Sequence, residues 1–134
     1  MTDTAGELET PVAFIIFNRT KKTKRVFDQI RKAQPSELYV IADGPRPDVP
    51  EDQDACAATR DIVADIDWDC IVHRNYADTN LGCFERIYTG IDWVFDSAED
   101  AIILEDDCLP HSDFFRFCER LLEMYRDDER VMDI

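Results

Sequence analysis

The 134-residue chain carries 30 acidic against 15 basic side chains, a formal net charge of −15, and is 45% hydrophobic. That length suffices for one domain with its own core, and the charge argues against general binding to nucleic acid or to an anionic membrane. No apolar run nears the roughly 18 residues of a membrane-spanning helix, and the start lacks the basic-then-apolar pattern of a signal peptide, so a cytoplasmic protein without an integral membrane segment is expected. The cysteines Cys56, Cys70, Cys83, Cys108 and Cys118 are odd in number and show no C-x-x-C spacing, which indicates neither a disulfide framework nor a zinc site.

Residues 1–10 are polar and acidic and read as a flexible N-terminal tail. The continuous apolar run 12–17 predicts a strand buried on both faces of a parallel sheet. A helix should follow, with Val26, Ile30 and Ala33 on one face, until Pro35 stops it. Residues 38–42 predict a second strand ending in the turn Asp43-Gly44-Pro45-Arg46. Pro50, Glu51 and Asp52 open a helix with Ala55, Ala58, Ile62 and Ile66 as its apolar positions, and residues 68–73 predict a short third strand. The loop 75–82 leads into a helix over 83–95, whose inward face is expected to be Phe84, Ile87, Tyr88, Ile91, Val94 and Phe95. Residues 101–104 predict a fourth strand. Pro110 and Ser112 open a last helix with Phe114, Phe117, Leu121, Met124 and Tyr125 inward, and residues 131–134 read as the start of a fifth strand. The alternation specifies an α/β fold, a mostly parallel sheet flanked by helices with right-handed crossovers.

Open α/β sheets bind ligands just past the carboxyl ends of their strands. The predicted strand ends carry Asn18 and Arg19, then Asp43 to Arg46, then Asn80, Leu81 and Gly82, and finally Glu105, Asp106 and Asp107. Amides and carboxylates there can hydrogen-bond a base and ribose, and arginines can meet phosphate. Three adjacent carboxylates repel one another by roughly 1 kcal/mol per close pair even in water. A divalent cation offsets that repulsion, and oxygen-only ligation suits Mg²⁺ or Mn²⁺. The same triplet also fits a solvated acidic turn. The basic cluster Arg19, Lys21, Lys22, Lys24 and Arg25 opposes the positive end of its helix dipole, a conflict that a nearby anion eases. Neither G-x-G-x-x-G nor G-x-x-x-x-G-K-[ST] occurs, which disfavours a dinucleotide fold and a P-loop enzyme. No nucleophile signature suggests covalent catalysis, and His73 and His111 read as structural or exposed.

The segment 101–110, Ala-Ile-Ile-Leu-Glu-Asp-Asp-Cys-Leu-Pro, followed by Asp113, Phe114 and Phe115, resembles the donor-site segment of N-acetylglucosaminyltransferase I and its microbial relatives. Those are GT-A glycosyltransferases, in which Glu-Asp-Asp is a variant of the Asp-x-Asp signature. Residues 11–19, 40–46 and 80–90 resemble further blocks of that group, so the resemblance runs in order from about residue 11 to the end. It implies a Rossmann-like nucleotide-diphospho-sugar transferase (GT-A) fold. Residues 11–134 would be its donor-binding half, truncated at the C-terminus, with the general base and acceptor site in a further half. The resemblance also implies metal coordination, Mn²⁺ or Mg²⁺, at Asp107, with Glu105 and Asp106 near the ribose and sugar-diphosphate. Asp43 would meet the uracil or ribose, Asn18 and Arg19 would line the nucleotide pocket, Arg86 would contact diphosphate or donor sugar, and Asn80 would shape its loop. The implied activity is transfer of a sugar from a nucleotide-diphosphate donor, with UDP the expected nucleotide, to an acceptor hydroxyl. A catalytically silent nucleotide-sugar-binding module and a metal-dependent nucleotidyltransferase are the alternatives, although the latter usually carries a Gly-rich basic loop after its first strand. A second copy joined through an open sheet edge is a further expected partner.

Overall fold

A computed structural model of the chain describes residues 7–134. Among the described residues four strands and four helices alternate as β1 (Val12–Ile16), α1 (Thr20–Ala33), β2 (Glu37–Ala42), α2 (Glu51–Ala64), β3 (Ile71–Tyr76), α3 (Cys83–Phe95), β4 (Ile102–Glu105) and α4 (Phe114–Met124). The sheet order is β3-β2-β1-β4 and every strand pair is parallel. The chain first winds outward from β1 through β2 to β3, then reverses and lays β4 on the other side of β1. That reversal is a topological switch point, where neighbouring connections leave on opposite faces and open a crevice between them. The packing follows: Val26, Phe27 and Ile30 of α1, Val63 of α2 and Phe115 of α4 cover Val12, Phe14, Ile16, Leu38 and Val40. On the other face α3 places Val94 against Ala13, Ile15, Tyr39 and Ile41. All of β1 is buried, as the unbroken apolar run requires in a strand covered on both faces.

Several elements depart from expectation for identifiable reasons. The third strand lies at Ile71–Tyr76, not 68–73. Trp68 instead precedes it, tilted against Phe27 at a ring-centroid distance of 5.9 Å and donating its indole N–H to the Pro35 carbonyl at 2.9 Å. The inward face of α2 is Asp52, Cys56, Thr59 and Val63, not the alanines. Two of those four are polar yet satisfied, since Asp52 is hydrogen-bonded to Arg46 and Thr59 donates to the Ala55 carbonyl at 2.7 Å. On α3 the buried positions are Arg86, Gly90 and Val94, whereas Phe84, Tyr88 and Phe95 are exposed. Gly90 explains the rotation: a Cβ there would lie 2.6 Å from Cγ2 of Ile41, so the helix presses its bare backbone onto β2. On α4, Phe115 points inward while Phe117 and Met124 face out.

The described part of the expected tail is anchored. Leu8 is buried, its N–H donates to the Gln34 carbonyl and its carbonyl accepts from Ser36 N–H. Glu119 of α4 accepts the N–H groups of Glu9 and Thr10 and the Thr10 hydroxyl. Residues 1–6 lie outside the described residues. Residues 131–134 form no strand; they lie beside residues 99–103 at the start of β4, with Met132 nearly fully exposed. Among the described residues no helix is long and apolar enough to cross a membrane.

Candidate functional site

The crevice at the switch point is a cleft of about 390 Å³. Its lining comes from every strand end the sequence singled out: Ile15, Ile16, Phe17 and Arg19 after β1, Asp43 and Arg46 after β2, Asn80, Gly82, Cys83, Arg86 and Ile87 around the start of α3, and Glu105, Asp106 and Asp107 after β4. The register brings them level, because β1 pairs Ile15 with Glu105 on one side and Ile16 with Ala42 on the other. A second, almost wholly apolar groove of about 510 Å³ beside the start of α4 is lined by Leu104, Leu109, Phe114 and Phe117. Its polar members, His111 and Asp113, are both exposed and pair with each other at 3.6 Å, so it offers no buried polar group to orient a ligand.

Two networks build the wall that follows β2, one tying it to the start of α3 and the other to the start of α2. In the first, Asp43, 5% exposed, accepts four hydrogen bonds from the chain: Gly44 N–H at 2.8 Å and Leu81 N–H at 2.8 Å on Oδ1, Gly82 N–H at 3.2 Å and the Asn80 amide at 3.1 Å on Oδ2. A carboxylate offers about four lone-pair sites, so this one is fully used. Asn80 also donates to the Gly44 carbonyl at 3.1 Å, and the Arg60 guanidinium bridges the carbonyls of Asp43 and Ala77 at 3.1 and 2.8 Å. The two loops touch so closely that a Cβ on Gly44 would fall 2.6 Å from the Thr79 carbonyl carbon. In the second network, buried Asp52 takes both Nε and NH2 of Arg46 at 2.6 and 3.0 Å, the Arg46 N–H at 3.1 Å and the Asn18 amide at 2.9 Å. Those bonds hold the Asp52 carboxyl far below the usual carboxylate range, the Arg46 guanidinium contributing most.

Behind this wall lies Arg86, 4% exposed. Its NH1 reaches only two neutral acceptors at long range, Asn75 Oδ1 at 3.3 Å and the Ala42 carbonyl at 3.5 Å, and its Nε has no partner. Burial pushes its pKa down from the ordinary arginine value, and the Asp43 carboxylate pushes it back up. A buried guanidinium so sparsely hydrogen-bonded is costly unless an anion completes it.

The opposite wall is the acidic strand end. Asp106 is largely buried, and desolvation raises its carboxyl pKa above the ordinary value; Arg19 opposes that rise, while Asp107 and Glu105 add to it. Arg19 NH1 lies 3.6 Å from Asp106 Oδ1 and 3.8 Å from Asp107 Oδ2, and its side chain is half exposed. These are contacts of charge, too long for hydrogen bonds, so Arg19 stands near the acids as a loosely held counter-charge. Among the described residues no group of three or more His, Cys, Asp or Glu side chains converges as a metal site.

Of the residues singled out in the sequence, the cleft gathers Arg19, Asp43, Asn80, Arg86, Glu105, Asp106 and Asp107. Asn18 does not line it and donates instead to Asp52. Asp43 lines it but has its carboxylate engaged by the chain itself. The sequence reading missed Asp52, Arg60 and the commitment of Arg46 to Asp52; an acid six positions after an arginine, across a proline-containing turn, was the available signal. His73 pairs with Glu37 at 2.8 Å and stacks on Tyr39 at the far end of the sheet, and His111 is exposed. No family model matches this chain, and no curated protein matches it. Fold and site together define an α/β protein whose switch-point cleft sets a buried arginine across from a carboxylate strand end.

Proposed function

We propose that the cleft binds a nucleoside diphosphate, and that it is the donor site of a metal-dependent glycosyltransferase using a nucleotide-diphosphate sugar, UDP being the favoured nucleotide. The observation that carries this reading is the pairing, in one crevice, of a buried guanidinium whose Nε has no hydrogen-bond partner with an acidic strand end that half-exposed Arg19 meets only at ion-pair distance. A diphosphate offers anionic oxygens to Arg86 and, at the same time, oxygens that share a cation with the acids. The sequence resemblance of residues 101–110 to GT-A donor-site segments supports the sugar-transfer part of the reading.

The donor set fits a hard divalent ion. Such ions are commonly held by one or two carboxylates together with substrate phosphates, so the lack of a three-residue protein cluster does not count against it. Asp107, half exposed beside largely buried Asp106, would hold the ion. When bound, it would neutralise charge on the departing nucleoside diphosphate. Arg86 would fix the diphosphate from the α3 side and add fixed positive charge where the leaving group becomes more anionic. Arg19, released from the acids, can follow the same anion. The Arg46–Asp52 and Asp43 networks keep the cleft wall in place before any ligand arrives.

The test is thermal. UDP with Mn²⁺ should raise the melting midpoint of the chain as ligand linkage requires, with chelator removing most of the shift. A midpoint unmoved by UDP, with or without metal, contradicts the reading.

A further inference from the structure

We propose that Asp43 is a positioning residue and not a nucleotide ligand: its carboxylate holds the 80–82 segment, and through it the first turn of α3 and Arg86, in the binding position. The inference rests on the donor-site reading for its affinity arm only. All the acceptor capacity of Asp43 is spent on Gly44, Asn80, Leu81 and Gly82, so a ribose hydroxyl or a uracil N–H would have to displace a bond already made. The bonds are also placed to act at a distance. Gly82 immediately precedes α3, takes φ of +88° and accepts the Arg86 N–H at 2.9 Å, the hydrogen bond that opens the helix. Asp43 therefore fixes the residue from which α3 starts, and α3 delivers Arg86 to the cleft one turn later. Without the carboxylate, the N–H groups of Leu81 and Gly82 lose their acceptor, and nothing else among the observed bonds ties the segment to β2 except the Asn80 contact with the Gly44 carbonyl.

The test uses Asp43→Asn and, as a variant that removes no side chain, Gly82→Ala. Nothing lies within 4 Å of a Cβ on Gly82, so its only penalty is the positive φ. Hydrogen exchange of the ligand-free protein, well below its melting midpoint, should show the amides of Leu81, Gly82 and Arg86 exchanging about tenfold faster in Asp43→Asn, as expected when a charged acceptor is lost. Calorimetry with UDP and with inorganic pyrophosphate should show both affinities falling by a common factor of about ten, which is the loss of one charge-assisted contact. Gly82→Ala should weaken both ligands in the same ratio, and it carries the test if Asp43→Asn fails to fold. A UDP affinity that falls while pyrophosphate binding and amide exchange stay at wild-type values would make Asp43 a base or ribose contact and overturn the proposal. If wild type binds neither ligand, the donor-site reading fails, and the exchange arm alone decides whether Asp43 holds the segment.

Discussion

The two walls of the cleft are built on opposite principles. On the side that follows β2, two buried carboxylates are saturated by donors from the chain: Asp43, next to α3, by one side-chain amide and three N–H groups, and Asp52 of α2 by Arg46 and Asn18. On the β4 side, three consecutive carboxylates are offset only loosely, by half-exposed Arg19 at 3.6 and 3.8 Å and by Lys22. Saturated charges fix geometry, whereas unsatisfied ones leave interaction energy for a ligand. Arg86 belongs structurally to the first wall and electrostatically to the second, since it is buried within the scaffold yet its Nε has no partner and its NH1 reaches only neutral acceptors at long range. The contrast separates what the fold completes on its own from what it leaves for a diphosphate and a cation.

The largest effect should come from forcing the saturated wall apart. Gly44→Ala places a Cβ 2.6 Å from one backbone atom of Thr79 and 2.8 Å from the Ala77 carbonyl oxygen, neither of which can swing away. Overpacking of that kind costs about 1–3 kcal/mol or more, so denaturant titration should show a midpoint well below wild type, and UDP binding should be lost with it. Arg86→Met is expected to split stability from binding. It removes a buried, poorly paired charge in favour of an apolar side chain of similar length, so the melting midpoint should hold or rise. UDP affinity measured by calorimetry should meanwhile fall about tenfold to a hundredfold. A parallel loss of both would mean that Arg86 is a structural residue.

Acid titration sharpens the comparison further. The folded pKa of Asp52 lies below the ordinary carboxylate value near 3.9, so the unfolded chain takes up its proton first as pH falls. The contribution of Asp52 is therefore complete at neutral pH and disappears as pH drops from about 4 through the lowered folded value. Asp52→Asn should lie below wild type in denaturant midpoint at pH 7, with the gap closing below about pH 4. The smallest effect belongs to Arg19. Its exposed ion contacts are worth no more than about 1 kcal/mol, so Arg19→Ala should tighten Mn²⁺ binding in the absence of nucleotide by only a few fold, read by titration with the metal alone.

Much of this was legible in the residues. The alternating strands and helices followed from apolar runs and turn residues, and the strand ends assembled as expected because a parallel sheet carries all its carboxyl ends to one side. The faces of α2, α3 and α4 were misread for a common reason. Periodicity assigns apolar residues inward, but Asp52 and Thr59 point in because partners satisfy them, and Arg86 and Gly90 point in because the cleft and the close approach to Ile41 need them there. Phe84, Tyr88 and Phe117 stay out despite their hydrophobicity. The saturation of Asp43 was invisible for a related reason: three of its four donors are backbone N–H groups, which leave no mark in the side-chain sequence.

The central claim is tested most directly by calorimetric titration of UDP into the purified chain, with Mn²⁺ and with chelator, repeated on Asp107→Ala. Binding that requires both the metal and Asp107 is the predicted result. UDP binding that is indifferent to chelator and to Asp107→Ala, or absent from a demonstrably folded chain, would contradict the account and leave the acidic strand end as a solvated turn.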